Sequence, residues 1–294
     1  RATNDPILSV DYINHEVYAG GILAIANHVS NFVNDATVVT LIGDREDRKD
    51  FIMNSLNKNI TPKFFVKENS PTIIKRRYLD VIRSTKLFTV EHINDMPISE
   101  TLEKEIVNFL AKELTKYNLI IVGDFGHGFI TEKIIKVLED KSNFLAVNVQ
   151  CNSANLGYNF VTKYNRPNFL TMDIHELWYA VSDRFSEVPV LMDKLHKKKN
   201  FNKFLVTMSK EGSAYFDNGK QTFFPAFIMN PKDTVGAGDA VFSITSLFAY
   251  TGNNNIIPFI ANCAGGIAVS YMGNKEFITK EKLLEFIKQV YNGI

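Results

Sequence analysis

NPKDTVGAGDAVFSITSLFAY, residues 230–250, passes from a polar turn through Gly236-Ala237-Gly238 into a helical pattern. Beyond Gly238, the residues Val241, Ile244, Thr245 and Phe248 follow three- and four-residue spacing, so the glycines sit just before or within a first helical turn. Glycines there remove side chains, and an anion can approach the free backbone N–H groups at the positive end of the helix. Asp239 then sets a carboxylate beside that anion. Near a transferring phosphoryl group, such a carboxylate can orient an attacking hydroxyl and take its proton late, when little base strength is needed. Gly-x-Gly alone also fits an ordinary glycine-rich helix start capped by Asp. The segment is neither a G-x-G-x-x-G dinucleotide fingerprint nor a G-x-x-x-x-G-K-[ST] phosphate loop.

Upstream, strand-like and helix-like segments alternate from about residue 35, which predicts an α/β fold with a mainly parallel sheet and helices on both faces. Thr37 to Ile42, Leu119 to Val122, Phe144 to Val149 and Phe204 to Thr207 are short apolar runs of buried-strand type. Ile22, Ile25, Ala26, Val29, Phe32 and Val33 form one helical stripe, and Ile106, Leu110 and Leu114 another; core packing explains both. Two regions break the alternation: Ile7 to Ile13, and Pro62 to Val90 with its β-like pieces Pro62 to Val66, Thr72 to Leu79 and Leu87 to Val90. Strands without helical crossovers pair antiparallel, so these regions predict a small β-lid from about 7–19 and 60–92.

The 294 residues are 45% hydrophobic and 22% charged with a formal net charge of +1, which gives ample core and no electrostatic reason to expect nucleic acid or an anionic membrane. A small molecule fits better. Cys151 and Cys263 make no disulfide framework and share no metal-ligand spacing, so a reducing, cytoplasmic setting and no zinc are expected. Ile256 to Met272 carries Pro258, Asn262 and Gly265-Gly266 and is too short to span a bilayer; it predicts a buried helix. The basic run His196 to Lys199 with Lys203 predicts a solvated helix end.

Asp233-Thr234-Val235-Gly236-Ala237-Gly238-Asp239 resembles the D-T-x-G-A-G-D signature of the PfkB/ribokinase carbohydrate kinases. The likeness runs along nearly the whole chain: Gly20-Gly21 resembles that family's N-terminal glycine pair at the sugar site, Thr207 with Gly212 its nucleotide-side strand and turn, and Asn262 lies in a segment similar to the one flanking the adenine. Asp173-Ile174-His175-Glu176 stands where the family has Asn-x-x-Glu, which organises magnesium and the phosphates; Asp keeps an oxygen ligand there. The resemblance implies a ribokinase-like three-layer α/β/α fold, ATP and Mg2+ as cofactors, and a sugar or sugar phosphate as acceptor. It implies Asp239 as base, Gly236, Ala237 and Gly238 as the anion hole, Asp173 and Glu176 toward the metal, and Asp233, Gly20 and Gly21 at the acceptor.

Within the family the chain is similar to the kinase half of the D-glycero-D-manno-heptose 7-phosphate kinases. Pro71-Thr72-Ile73-Ile74-Lys75-Arg76-Arg77 resembles their P-T-x-x-K-x-R lid strand, Asp124-Phe125-Gly126-His127-Gly128 their D-Y-x-K-G turn, and Arg1 and Pro6 the stretch leading into their lid. Lys75 and Arg77 then read as a phosphate clamp or as a solvated strand face. The chain departs from those kinases at Ala24, at Asn148-Val149-Gln150 where they carry Asp-Pro-Lys, and at His127 where they carry Lys. It also opens after the family's first strand, so the expectation is one kinase domain over 1–294 excerpted from a longer chain, with a fused nucleotidyltransferase and a homodimer through the lid as implied partners. The rival reading is a catalytically altered kinase-like module that binds a nucleotide or regulates a fused enzyme.

Overall fold

The computed structural model describes residues 10–80, 85–152, 155–227 and 231–292. After an irregular segment, α1 (Ile22–Ser30), β1 (Ala36–Arg45), α2 (Lys49–Ser55) and β2 (Ile60–Pro71) follow in order. α2 is the crossover that lets β1 and β2 pair in parallel, from Ala36 opposite Ile60 to Gly43 opposite Lys67. β3 (Ile74–Leu79) and β4 (Lys86–His92) form a separate antiparallel ladder with Lys75 opposite Glu91. The remaining elements are α3 (Glu100–Glu113), β5 (Ile120–Asp124), α4 (Glu132–Lys141), β6 (Leu145–Val149), β7 (Phe169–Asp173), α5 (Ile174–Val181), α6 (Val188–Lys199), β8 (Lys203–Thr207), β9 (Ser213–Asp217), β10 (Lys220–Phe224), α7 (Ala237–Tyr250), α8 (Ile257–Ala268) and α9 (Lys280–Asn292). They build a six-stranded sheet ordered β10-β9-β8-β7-β6-β5. β5 to β8 run parallel, while β9 and β10 pair antiparallel at one edge.

Strict alternation along the strands feeds two cores. Leu145, Val147, Leu170, Met172, Phe204, Val206 and Phe216 point into one core with Ile106 of α3, Leu138 of α4, Leu177 of α5 and Leu191 of α6. Ala146, Phe169, Leu205 and Tyr215, one residue out of phase, point into the other with Ile25 of α1, Phe242 of α7 and Ile260 of α8. Side chains of a strand project to opposite faces with period two, so a sheet covered by helices on both sides needs apolar residues at every position. The result is a three-layer α/β/α fold. Its parallel strands end together at Asp124, Val149, Asp173 and Thr207, and loops leaving that edge carry the polar residues.

Several expectations need correction. Residues 7–9 of the expected strand Ile7 to Ile13 lie outside the described residues, as do Arg1 and Pro6; 10–13 are irregular, so the 7–19 arm adds no strand to the lid over its described part. Val10, Tyr12, Ile13 and Val17 are all exposed. Pro62 to Val66 is not lid but part of β2, parallel to β1, because the short α2 supplies a crossover that the sequence pattern hid. Pro62 lacks a donor and is tolerated because β2 pairs on one side only. The antiparallel lid is the β3–β4 hairpin. Strands β7, β9 and β10 were not expected; Phe169–Asp173 hides behind a polar turn, and Lys220–Phe224 alternates with charged and polar residues at the sheet edge.

Where β1 ends, Gly43 donates its N–H to Thr72 Oγ1 at 3.0 Å, and the end of β2 crosses tightly over it. A Cβ on Gly43 would lie 2.1 Å from Ser70 O and 2.3 Å from Pro71 C, backbone atoms that cannot swing away. Gly43→Ala should therefore lower the unfolding free energy by about 1–3 kcal/mol, the usual cost of overpacking, as a fall in the urea midpoint at unchanged slope.

Candidate active site

α7 starts at Ala237 with Gly236 as its N-cap in the left-handed region, φ 80°. A Cβ on Gly236 would lie 2.0 Å from Asn274 Oδ1 and force that amide to move, while the backbone angle itself favours glycine. At Gly238 the missing Cβ leaves open space, with no atom within 4 Å, and the residue lines a cleft of about 240 Å³. The N–H of Ala237, expected in the anion hole, makes a long 3.3 Å bond to Thr234 O that closes the turn. The cleft brings together six of the expected residues: Asp239, Gly236, Gly238, Asp173, Glu176 and Thr207.

Asp239 stands in the first turn of α7 and is only 8% exposed. Burial pushes its carboxyl up to about 6, against the pull of a hydrogen bond from Gln150 and the charge of Lys75. Gln150, the residue after β6, donates Nε2 to Asp239 Oδ1 at 2.7 Å. Asp173 and Glu176 form a capping box at the start of α5: Asp173 Oδ1 accepts from the Glu176 N–H at 2.8 Å, and Glu176 Oε2 from the Asp173 N–H at 2.8 Å. Glu176 also accepts from the Cys151 N–H at 2.9 Å. Burial, reinforced by the neighbouring Asp173, lifts the Glu176 carboxyl to about 8. A buried carboxyl beside a second acid holds negative charge poorly unless a cation joins it.

The other expected residues surround this centre at varying remove. Gly21 caps α1, and a Cβ there would touch the Phe125 ring at 3.3 Å; one on Gly20 would come 3.3 Å from Asn274 Nδ2. Asn274 thus stands between the glycine pair and the Gly236 turn, a junction with no local signal in the sequence. Lys75 pairs loosely with Glu91 at 3.6 Å, within electrostatic reach of Asp239. Arg77 lies two residues on, hence on the same strand face, and is exposed. Asp233 is engaged on both oxygens: Oδ1 by Lys86 Nζ of the lid at 2.7 Å, Oδ2 by the Gly273 N–H at 3.0 Å. Gly212, φ 97°, packs beneath Phe224 O, and the Asn262 amide donates to Ser213 Oγ at 2.9 Å and Pro258 O at 2.7 Å; neither residue lines the cleft. Asn262 thereby ties α8 to the start of β9.

The steric part of the Gly236 constraint can be separated from the angular part. Gly236→Ala should cost about 2–4 kcal/mol, combining a left-handed residue with the Asn274 clash, whereas in the Asn274→Ala background only the angular cost of about 1–2 kcal/mol remains. A double-mutant cycle by urea unfolding measures both.

The sequence profile of the pfkB family carbohydrate kinases matches residues 14–276. Among curated proteins, the bifunctional protein HldE of Aliarcobacter butzleri is 28% identical, covering 98% of this chain and 60% of its own length, and that of Campylobacter jejuni 23% identical, covering 97% and 63%. The chain thus spans about three fifths of the length of these relatives. Among solved structures, Arabidopsis thaliana ribokinase complexed with ribose and ATP superposes with a TM-score of 0.72 at 14% identity, covering 95% of this chain and 91% of that one. Escherichia coli phosphofructokinase-2 in complex with potassium gives 0.73 at 12% identity, with 92% and 87% covered. The profile spans most of the chain, including Gly20-Gly21 and the whole Asp233 to Asp239 turn, and the chain belongs to the pfkB family of carbohydrate kinases.

Proposed function

We propose that this kinase transfers the γ-phosphoryl group of ATP to a hydroxyl of a sugar phosphate of the heptose-phosphate type, with Asp239 as base. The observation that carries the reading is the buried Asp239 carboxylate in the first turn of a glycine-opened helix, facing the same cleft as Asp173, Glu176 and Thr207. The acceptor hydroxyl gives its proton to Asp239 as its oxygen bonds to the γ-phosphorus; the bond from that phosphorus to the bridging oxygen breaks, and ADP leaves with the electron pair. The backbone N–H groups at the α7 N-terminus face the charge on the transferring group. Magnesium, when bound, neutralises charge on the phosphates. The donor set suits it: two carboxylates already spent on a capping box leave lone pairs for a cation or its waters, and no cluster of three or more His, Cys, Asp or Glu among the described residues would cage one unaided.

Sugar phosphate is favoured over neutral sugar because the lid carries Lys75 and Arg77 against Glu91, with Lys86 paired to Asp233, and the charge of Lys75 reaches Asp239. Sequence likeness to the HldE proteins supports the heptose class.

A coupled ADP-release assay over sugars and sugar phosphates should find an acceptor in the parent, and Asp239→Asn should lower kcat by roughly 10²–10⁴ while ATP affinity by calorimetry stays near parental. Because the base works as a carboxylate and its proton leaves only near pH 6, kcat/KM should fall about tenfold per pH unit below that value rather than below the ordinary aspartate range. A folded Asp239→Asn protein with parental kcat would sink the base assignment.

If Lys75 and Arg77 hold the acceptor's phosphate, Arg77→Ala should raise KM for the phosphorylated sugar by about ten- to a hundredfold, the worth of a charge-assisted bond, and leave the neutral sugar's kinetics unchanged. Equal effects on the two would return Arg77 to a solvated strand face.

A further inference from the structure

Gln150 is the one side chain hydrogen-bonded to the Asp239 carboxylate among the described residues, and the surrounding loop is built to hold it still. Its backbone N–H donates to Asp124 O at 2.9 Å, and its carbonyl accepts from Asn159 Nδ2 at 3.1 Å. Asn159 also donates to Asp124 O, and Asn155 donates to Phe125 O at 2.8 Å. Both asparagines are at least nine-tenths buried. Asp124 is anchored in turn by Lys163 at 2.6 Å and the Tyr164 hydroxyl at 3.0 Å. So much buried amide around one loop costs desolvation unless each group is satisfied, and its effect is to fix the direction in which Gln150 leaves β6. Asn148 and Thr171, neighbours in register on the same sheet face, form the floor of the cleft beside it.

A carboxamide offers two N–H donors and one acceptor oxygen. One N–H is spent on Asp239 Oδ1, which leaves Oδ2 to receive the acceptor's proton. The Gln150 carbonyl, Oε1, has no protein partner among the described residues, although the side chain lines the cleft. A hydroxyl on the carbon next to the attacked one is a donor that an acceptor seated against Asp239 could offer this oxygen.

We infer that Gln150 is the positioning residue of the base and the specificity residue of the acceptor site: its Nε2 fixes Asp239, and its Oε1 reads a second hydroxyl vicinal to the one phosphorylated. The inference rests on the phosphotransferase reading above and narrows it to acceptors with a vicinal diol at the reacting end.

The test pairs Gln150→Ala and the nearly isosteric Gln150→Met with two acceptors: the best sugar or sugar phosphate from the ADP-release assay, and its analogue lacking the hydroxyl next to the one phosphorylated. In the parent the deoxy analogue should lose about tenfold in kcat/KM, the worth of one hydrogen bond. In both variants kcat should fall by roughly 10- to 100-fold from a misaimed base, and the two acceptors should become equal. A structural role would weaken both acceptors alike and preserve their ratio, and that result, in whichever variant folds, would overturn the inference while leaving the kinase reading intact. Absence of phosphoryl transfer to any acceptor by a parent that binds Mg-ATP would overturn the kinase reading, and this inference with it.

Discussion

The 2.7 Å hydrogen bond from Gln150 to Asp239 joins the exit of a central strand to the first turn of α7. On one side lies a sheet packed from both faces, which places the ends of β5, β6, β7 and β8 in a row. On the other lies a helix whose glycine start leaves its positive end open. A carboxylate buried between them is unfavourable on its own, since removal from water opposes ionisation. The Gln150 donor and the nearby Lys75 reduce that penalty without cancelling it, and the acid rests near neutrality. The geometry therefore gives a carboxyl that holds its proton more strongly than an ordinary aspartate.

The same trade between burial and compensation repeats at Glu176. Its carboxylate completes a capping box and accepts from Cys151, which are local, structural duties, yet burial and Asp173 leave its charge under-compensated. Asp173 and Glu176 thus serve twice: they start α5 at the edge of the sheet, and they turn that helix start into an acidic wall opposite the anion-seeking start of α7. Two helix N-termini converge on the cleft, one opened by glycines for anions and the other closed by acids that favour cations. Phosphate with a divalent ion is the ligand type that suits both.

Much of this was legible in the sequence. The Asp233 to Asp239 turn carried the site because each residue there is constrained by local backbone chemistry, and buried parallel strands such as Phe204 to Thr207 announce themselves as unbroken apolar runs. Residues whose roles depend on contacts distant in sequence were not legible. Nothing near Gln150 announces that it will meet a residue 89 positions away, and Asn274 separates Gly20 from Gly236 only because three loops meet. Asn262 lay in the segment expected beside the nucleotide, but its amide is committed to Ser213 and Pro258. The lid was half legible: strand-like pieces with no helix between them revealed the β3–β4 hairpin, but the apolar run Pro62 to Val66 could not say that α2 would turn β2 parallel to β1.

The lid and the Asp233 to Asp239 turn are not independent parts. Lys86 of β4 reaches Asp233 at 2.7 Å, and the same carboxylate accepts from the Val235 and Gly273 N–H groups. Asp233 thereby sets the entry to the Gly236 turn and anchors one edge of the hairpin. Lys75, on the neighbouring strand of that hairpin, is placed where its charge acts on Asp239. A salt bridge this sheltered on the acid's side is weakened far less by salt than an exposed pair. The position of the hairpin and the charge felt by Asp239 are therefore linked: Lys86 ties β4 to Asp233, and Lys75 on β3 acts electrostatically on Asp239.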